Sequence, residues 1–202
     1  GVGKTTSAVN LVAALGAMGK KVLLIDIDPQ GNTTSGYGIQ RKGLNATSYE
    51  LLINSTEAKN AIISTKYQGV DIIPSNMNLA GAELEMAALD GRESLLKKAI
   101  APIQENYDFI FFDCPPSLGL ITLNALTASD SFLVPIQCEY YALEGLSQLM
   151  ATVRQVKRLY NPTLEIEGIV LTMFDGRLNL TNQVVGEIKK YFADKLYKSV
   201  IP

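Results

Sequence analysis

The sequence predicts an α/β fold built on a doubly wound, mostly parallel sheet. Short, continuously apolar runs such as residues 21–26 and 109–113 are typical of strands that are buried on both faces. Segments with a helical apolar stripe alternate with these runs, and the first stripe covers residues 8–18. Because parallel sheets of this kind bind ligands at the carboxyl ends of their strands, we expect the functional residues at that edge.

The remaining elements follow the same alternation. Further strands are predicted over residues 70–74, 109–113, 131–135 and 166–173, with a last strand beginning at 199–201. Further helices are predicted over residues 92–105, 146–156 and 184–196. The polar stretch 31–69 is predicted to be a surface excursion with a short helix around 49–53. No linker interrupts the pattern, so residues 1–202 are predicted to form a single domain.

Composition excludes several function classes. The chain has no histidine, and Cys114 and Cys138 are far apart, which excludes His-based triads and most zinc sites. Disulfide-free cysteines and the lack of a long apolar run or signal peptide favour a cytoplasmic protein without a membrane partner. The formal net charge is -2, but residues 154–202 carry a net charge of +3. That excess fits an anionic partner, and it equally fits chance on a solvated surface.

Residues Gly1–Thr6, which read Gly-Val-Gly-Lys-Thr-Thr, resemble the second half of a phosphate-binding loop. Glycines let backbone N–H groups surround an anion at a helix N-terminus. In such loops the lysine reaches the terminal phosphates and the first threonine hydroxyl binds Mg²⁺. The half-motif alone is also compatible with an ordinary glycine turn before a helix.

Two carboxylates follow predicted strands. Asp28, in Asp-Ile-Asp-Pro-Gln-Gly-Asn, can position water or Mg²⁺, although Asp-Pro is also a common turn pair. Asp113 ends the run Phe-Ile-Phe-Phe-Asp, which is the Walker B arrangement that supports Mg²⁺, although it too fits a strand-end turn. Together with the loop, the two carboxylates predict a site for ATP or GTP with Mg²⁺.

The combined motifs resemble the ParA/Soj family of chromosome and plasmid partition ATPases. The motifs that carry this resemblance are GVGKTT, DIDPQGNTTSG, DCPPSLG and QCEYYALEGL. The resemblance covers the whole chain and implies a P-loop NTPase of the SIMIBI, deviant Walker A type. It also implies that the chain is incomplete at both ends, lacking the family's first strand and the lysine that precedes the loop.

The resemblance implies a role for each matching residue. Gly1, Val2, Gly3, Lys4, Thr5 and Thr6 would bind the phosphates of ATP, with Lys4 also catalytic and Thr5 on Mg²⁺. Asp28 would orient the attacking water, and Asp113 would support Mg²⁺. Arg177 matches a position that binds DNA without sequence preference, although by itself it is equally a solvated loop arginine.

The implied activity is that of a weak, Mg²⁺-dependent ATPase. ATP would join two protomers, the homodimer would bind DNA on the nucleoid, and a ParB/Spo0J-type centromere-binding protein would stimulate hydrolysis and release. Three alternatives stay open at this point: a MinD-like membrane-cycling ATPase, a P-loop metabolic enzyme or reductase, and a DNA-associated regulator without useful turnover. The DPQGN and DCPPSLG motifs favour the partition ATPase over the MinD-like protein.

Overall fold

The computed structural model describes all 202 residues, which form two compact units. The N-terminal unit comprises Thr5–Ala128. The C-terminal unit comprises Ser129–Pro202 together with the first four residues, Gly1–Lys4. None of the helices combines the length and the apolar character that crossing a bilayer requires.

The N-terminal unit is organised around strand β1 (Val22–Asp26). The other elements are α1 (Lys4–Ala17), α2 (Asn32–Gly36), α3 (Ser48–Ile53), α4 (Ala58–Ala61), β2 (Ile63–Ser64), β3 (Val70–Ile73), α5 (Leu79–Met86), α6 (Leu95–Ile100), β4 (Phe109–Asp113) and α7 (Leu120–Ala128). The sheet order is β2-β3-β1-β4. Strand β1 is parallel to β3 and β4, and only the two-residue strand β2 is antiparallel.

Side chains of β1 alternate between two apolar cores, one on each face of the sheet. Leu23 and Ile25 belong to the larger core, which also takes in apolar residues of α3, α5, α6 and α7. Val22 and Leu24 point to the opposite face, where Val12 of α1 packs. Because successive side chains of a strand point to opposite faces, a fully apolar strand needs cover on both. Helices on both faces confirm the doubly wound α/β fold.

The C-terminal unit has a parallel three-stranded sheet of order β5-β6-β7. Its elements are β5 (Ser131–Gln137), α8 (Ala142–Leu159), β6 (Glu165–Thr172), α9 (Asn179–Phe192) and β7 (Leu196–Val200). Helices α8 and α9 are amphipathic, and they bury Leu146, Val184 and Ile188 against Val134 and Ile169 of the sheet. The alternation of strand and helix predicted for this region is confirmed.

Two predicted helices differ from the structure. Leu196 is not on the last helix: α9 ends at Phe192, and Leu196 pairs with Ile169 of β6. The helix predicted over residues 92–105 is regular only in α6, with 3-10 turns at Arg92–Ser94 and Gln104–Asn106. Pro102 follows α6 closely, and because proline lacks an N–H group it cannot continue the helical hydrogen bonds.

The segment 31–69 is not simply a surface excursion, as the sequence suggested. Its short helix α3 was predicted, and a capping box of Thr47 and Glu50 begins it. Leu51 and Leu52 on that helix are buried in the larger core. The segment therefore covers one face of the sheet, which its polar composition concealed.

Candidate functional site

The glycine-rich start of the chain lies against the end of strand β6 in the C-terminal unit. The Thr172 hydroxyl donates a hydrogen bond of 2.9 Å to the Val2 carbonyl oxygen. Gly3 has a φ of 79°, a left-handed conformation that side chains with a Cβ rarely adopt. Gly3 therefore suits the tight turn that a phosphate-binding loop requires.

Helix α1 begins directly after this turn. Lys4 and Thr5 are its first two residues, so their backbone N–H groups lie in the first turn, where they have no acceptor within the helix. Thr6 is exposed, and its carbonyl oxygen accepts a hydrogen bond from the Asn10 side chain. Free N–H groups at a helix start favour anions, which agrees with the predicted phosphate site.

The Asp113 carboxylate is the centre of a hydroxyl cluster in the N-terminal unit. The Thr5 hydroxyl donates to Asp113 Oδ2 at 2.7 Å. A second hydroxyl, that of Thr33 on α2, donates to the same oxygen at 2.6 Å. Asp113 is 2% exposed, so hydrogen bonds from the protein rather than bulk solvent satisfy this carboxylate.

A second buried carboxylate, Asp26, lies beside Asp113 because β1 and β4 pair these two residues in register. The Thr34 backbone N–H and hydroxyl both donate to Asp26 Oδ2, at 2.8 and 2.6 Å. Burial raises the pKa of Asp26 to about 6; hydrogen bonds from Thr34 and Asp28 oppose the rise, and the charge of Asp113 adds to it. Asp26 is thus held by the fold at an energetic cost.

Asp28 lies in the turn between β1 and α2. Its Oδ1 accepts a hydrogen bond of 2.9 Å from the Gln30 N–H, and its carbonyl oxygen accepts one from Gly31. Its own N–H donates to Asp26 Oδ1 at 3.2 Å. The other carboxylate oxygen, Oδ2, accepts no hydrogen bond from the chain. Asp28, which is 8% exposed, therefore serves as a turn residue whose Oδ1 is held by the backbone.

The donor set around Thr5 and Asp113 fits Mg²⁺. The chain has no group of three or more acidic or cysteine side chains that could hold a metal ion unaided. Mg²⁺ prefers oxygen ligands and commonly takes one or two from protein, with waters and substrate phosphates as the others. One hydroxyl and one carboxylate that share a hydrogen bond match that requirement.

One surface cavity lies away from this site. It has a volume of about 600 Å³ and lies at the amino ends of β1 and β3, where Lys21, Gln68 and Tyr107 line it. Another cavity, of about 250 Å³, is lined by Pro29 and Gln30, which follow Asp28, and by Pro115 and Ser117, which follow Asp113. Chemistry, rather than cavity size, therefore identifies the carboxyl ends of the strands as the site.

Arg177 lies in the loop between β6 and α9 of the C-terminal unit. Its side chain is 89% exposed, and it donates to both carboxylate oxygens of Asp175, at 2.8 and 2.7 Å. These hydrogen bonds lower the pKa of Asp175. Arg177 is accessible to an anionic partner, but it is paired with a carboxylate that such a partner would have to replace.

The sequence analysis missed Thr33 as a site residue and Thr34 as the structural residue beside it. Both are completely buried, and each donates its hydroxyl to a carboxylate at a strand end. Their only sequence signal is their place in the motif DPQGNTT, directly after Asp28. A threonine pair in a polar, glycine-containing segment more often indicates exposure, so burial could not be foreseen.

A hydroxyl–carboxylate pair that follows a glycine-rich loop at the carboxyl ends of parallel strands is typical of P-loop nucleotide-binding proteins.

A family model described as an AAA domain matches residues 1–166. The sporulation initiation inhibitor protein Soj of Bacillus subtilis is 55% identical over the whole chain, which covers 80% of that protein. The chromosome partitioning protein ParA of Myxococcus xanthus is 48% identical over the whole chain, which covers 71% of that protein.

The chain belongs to the Soj/ParA family of chromosome partitioning ATPases. A solved structure also resembles it: cobyrinic acid a,c-diamide synthase from Mycobacterium smegmatis, with a bound ATP analogue and magnesium. That structure has a TM-score of 0.89 and 38% identity, over 95% of this chain and 78% of the synthase chain. The family resemblance found in the motifs is thereby confirmed.

Proposed function

We propose that this chain is the ATPase core of a DNA-partition switch, and that its 202 residues act as a single domain. The observation that carries the proposal is the hydrogen bond of 2.7 Å from the Thr5 hydroxyl to Asp113. A hydroxyl that donates its proton to a carboxylate directs its lone pairs elsewhere, so the Thr5 oxygen is prepared to accept a cation. A relative named for chromosome partitioning, ParA of Myxococcus xanthus at 48% identity, supports the same function.

The proposed site divides the work among a few residues. Backbone N–H groups of Gly1–Thr6 bind the phosphates, and the Lys4 ammonium neutralises their charge. Thr5 and Asp113 hold Mg²⁺. When bound, ATP with Mg²⁺ supplies the phosphoryl group that is transferred to water. Asp28 orients that water with its Oδ2, while its Oδ1 is held by the Gln30 N–H.

The output of the switch is DNA binding by an ATP-dependent homodimer. Arg177 contributes a phosphate contact without sequence preference, and the C-terminal residues 154–202 carry a net charge of +3. A ParB/Spo0J-type centromere-binding protein stimulates the slow hydrolysis and releases the dimer. We accordingly propose a cytoplasmic location, with the DNA-bound dimer on the nucleoid.

DNA affinity with and without nucleotide tests this function. Fluorescence anisotropy with a random-sequence duplex should give binding at least about tenfold tighter with ATP than with ADP, because two linked protomers bind the same DNA. Mg²⁺ removal by a chelator should abolish the difference. Equal DNA affinity with ATP and with ADP would refute the proposed switch.

One observation favours a second candidate, an ATP-dependent biosynthetic enzyme. The synthase structure with a bound ATP analogue and magnesium is 38% identical to this chain, which favours that candidate. The chromosome partitioning protein ParA of Myxococcus xanthus is 48% identical, which favours partition. Stimulation of phosphate release separates the two functions. The partition function predicts stimulation by DNA with a ParB-type partner, and the biosynthetic function predicts stimulation by cobyrinic acid.

A further inference from the structure

Two adjacent threonines, Thr33 and Thr34, tie the turn that carries Asp28 to three neighbouring strand ends. Thr33 donates to Asp113, the last residue of β4, and Thr34 donates to Asp26, the last residue of β1. The Thr34 hydroxyl also accepts a hydrogen bond of 2.9 Å from the N–H of Ser75, which follows β3. Strands β3, β1 and β4 are consecutive in the sheet. Hydrogen bonds from helix α2 therefore reach the carboxyl ends of all three strands.

The two threonines differ in what their partners do. Thr34 joins groups that have no assigned part in catalysis: the buried Asp26 and a backbone N–H group. Thr33 instead donates to Asp113 Oδ2, the same oxygen that accepts from Thr5. The two hydroxyl donors limit the rotation of the Asp113 carboxylate, and that carboxylate in turn orients the Thr5 hydroxyl.

We propose that Thr33 is a positioning residue for Mg²⁺, and that it links the Asp28 turn to the Thr5–Asp113 pair. This inference rests on the proposed Mg²⁺-ATPase function and deepens it. Thr33 does not touch substrate in this role; it fixes the carboxylate that the metal pair needs. Thr34 is the matching structural anchor, because it holds the same helix without contacting the metal pair.

The neighbouring threonines provide a matched experiment in the full-length protein. Thr33→Val and Thr34→Val each remove one buried hydroxyl and keep nearly the same shape, and Thr33→Ser keeps the hydroxyl. The readouts are the Mg²⁺ concentration for half-maximal binding of a fluorescent ATP analogue, kcat and KM for hydrolysis, and the melting temperature.

Thr33→Val should raise the half-maximal Mg²⁺ concentration about tenfold, as expected for loss of a group that orients a metal ligand. It should lower kcat more than it raises KM, and Thr33→Ser should restore both. Thr34→Val should lower the melting temperature more than Thr33→Val does, because Ser75 N–H and Asp26 each lose a buried partner. Its Mg²⁺ requirement should stay close to that of the parent.

An equal Mg²⁺ shift in both valine variants, or none in Thr33→Val, would overturn the assignment. If valine at position 33 prevents folding, Thr33→Ala is compared with Thr34→Ala in the same assays and judged by the same criterion. A parent protein that binds the analogue equally well without Mg²⁺ would refute the proposed function as well. A parent that requires Mg²⁺, with variants that do not differ, would refute only the role of Thr33.

Discussion

Burying the Asp26 carboxylate at the edge of the site costs free energy. It is fully buried next to Asp113, and both carboxylates end strands that are hydrogen-bonded to each other. Hydrogen bonds from Thr34 offset part of the cost of this placement but not all of it, since the pKa of Asp26 is raised to about 6. A carboxylate with a raised pKa makes the stability of the folded chain depend on pH.

The sign of this dependence follows from the two pKa values, 3.8 ordinarily and about 6 in the folded chain. At a pH between 3.8 and about 6, Asp26 is ionised in the unfolded chain but still protonated in the folded chain. The contribution of Asp26 to the free energy of unfolding therefore falls as the pH rises. Ionising Asp26 in the folded chain costs on the order of 3 kcal/mol in full. We therefore expect the stability of the parent relative to Asp26→Asn to decline from pH 4 to pH 7, measured by urea unfolding. A constant difference over that range would contradict this account.

Asp28 is expected to act on hydrolysis rather than on nucleotide binding. Asp28→Ala should lower phosphate release by about 100-fold or more, because it removes the group that orients water. ATP binding should persist, so the variant should accumulate as an ATP-bound dimer in light scattering. Asp90→Ala, which changes an exposed carboxylate elsewhere, provides the control. Hydrolysis at the parent rate would refute the assigned role of Asp28.

Among the site residues, those with recognisable motifs could be predicted from the sequence. Thr5 and Asp113 are 108 residues apart in the chain, yet their motifs predicted one shared Mg²⁺ site. The two side chains are joined by a hydrogen bond. Thr33 and Thr34 could not be found in this way, because their role depends on burial and on the direction of a hydroxyl. Roles of Lys4, Asp28 and Arg177 in catalysis or binding stay predictions.

At the scale of elements, periodicity found the helices that have one apolar face. Helices α1 and α8 lie where an apolar stripe predicted them, and so does α9 as far as Phe192. Helix α7 was missed because its residues are apolar or buried almost all round, including Asn124 and Thr127. A helix buried on most sides has no polar stripe, and its pattern therefore carries no period to detect.

Close packing of α1 against the start of β3 predicts opposite effects for two glycines. A Cβ at Gly16 would overlap the Gln68 carbonyl oxygen and lie 2.7 Å from Val70 Cγ2, whereas one at Gly145 in α8 meets nothing within 4 Å. Gly16→Ala should destabilise the chain by about 1 to 3 kcal/mol through overpacking. Gly145→Ala should stabilise it by up to about 1 kcal/mol through helix propensity. Thermal unfolding checks both, and a gain in both variants would contradict the packing argument.

At the scale of the whole molecule, charge is distributed unevenly. The formal net charge is -2, yet residues 154–202 are net positive at +3. Several basic side chains there are already paired, Lys157 with Glu165 and Arg177 with Asp175 among them. Exposed ion pairs of this kind contribute little to stability. Their lysine and arginine side chains can therefore exchange the carboxylate for a phosphate group.

Arg177→Ala should therefore weaken DNA binding without unfolding the protein. Each lost phosphate contact should reduce the slope of log affinity against log salt by about 1, whatever the DNA sequence. Lys59→Ala, which removes an ion-paired surface cation from the N-terminal unit, provides the control. Titrations at several salt concentrations measure the slope, and an unchanged slope for Arg177→Ala would remove this residue from the DNA contact.

The smallest strand of the N-terminal unit has a consequence for association between molecules. Strand β2 ends the sheet with only Ile63 and Ser64, and it runs against the direction of its neighbour β3. An edge strand offers unpaired backbone groups on which a strand from another chain can assemble, and a very short one offers few. Lys66, two residues beyond it, adds a charge that such a strand would have to bury. This edge is therefore protected against fibre-like aggregation.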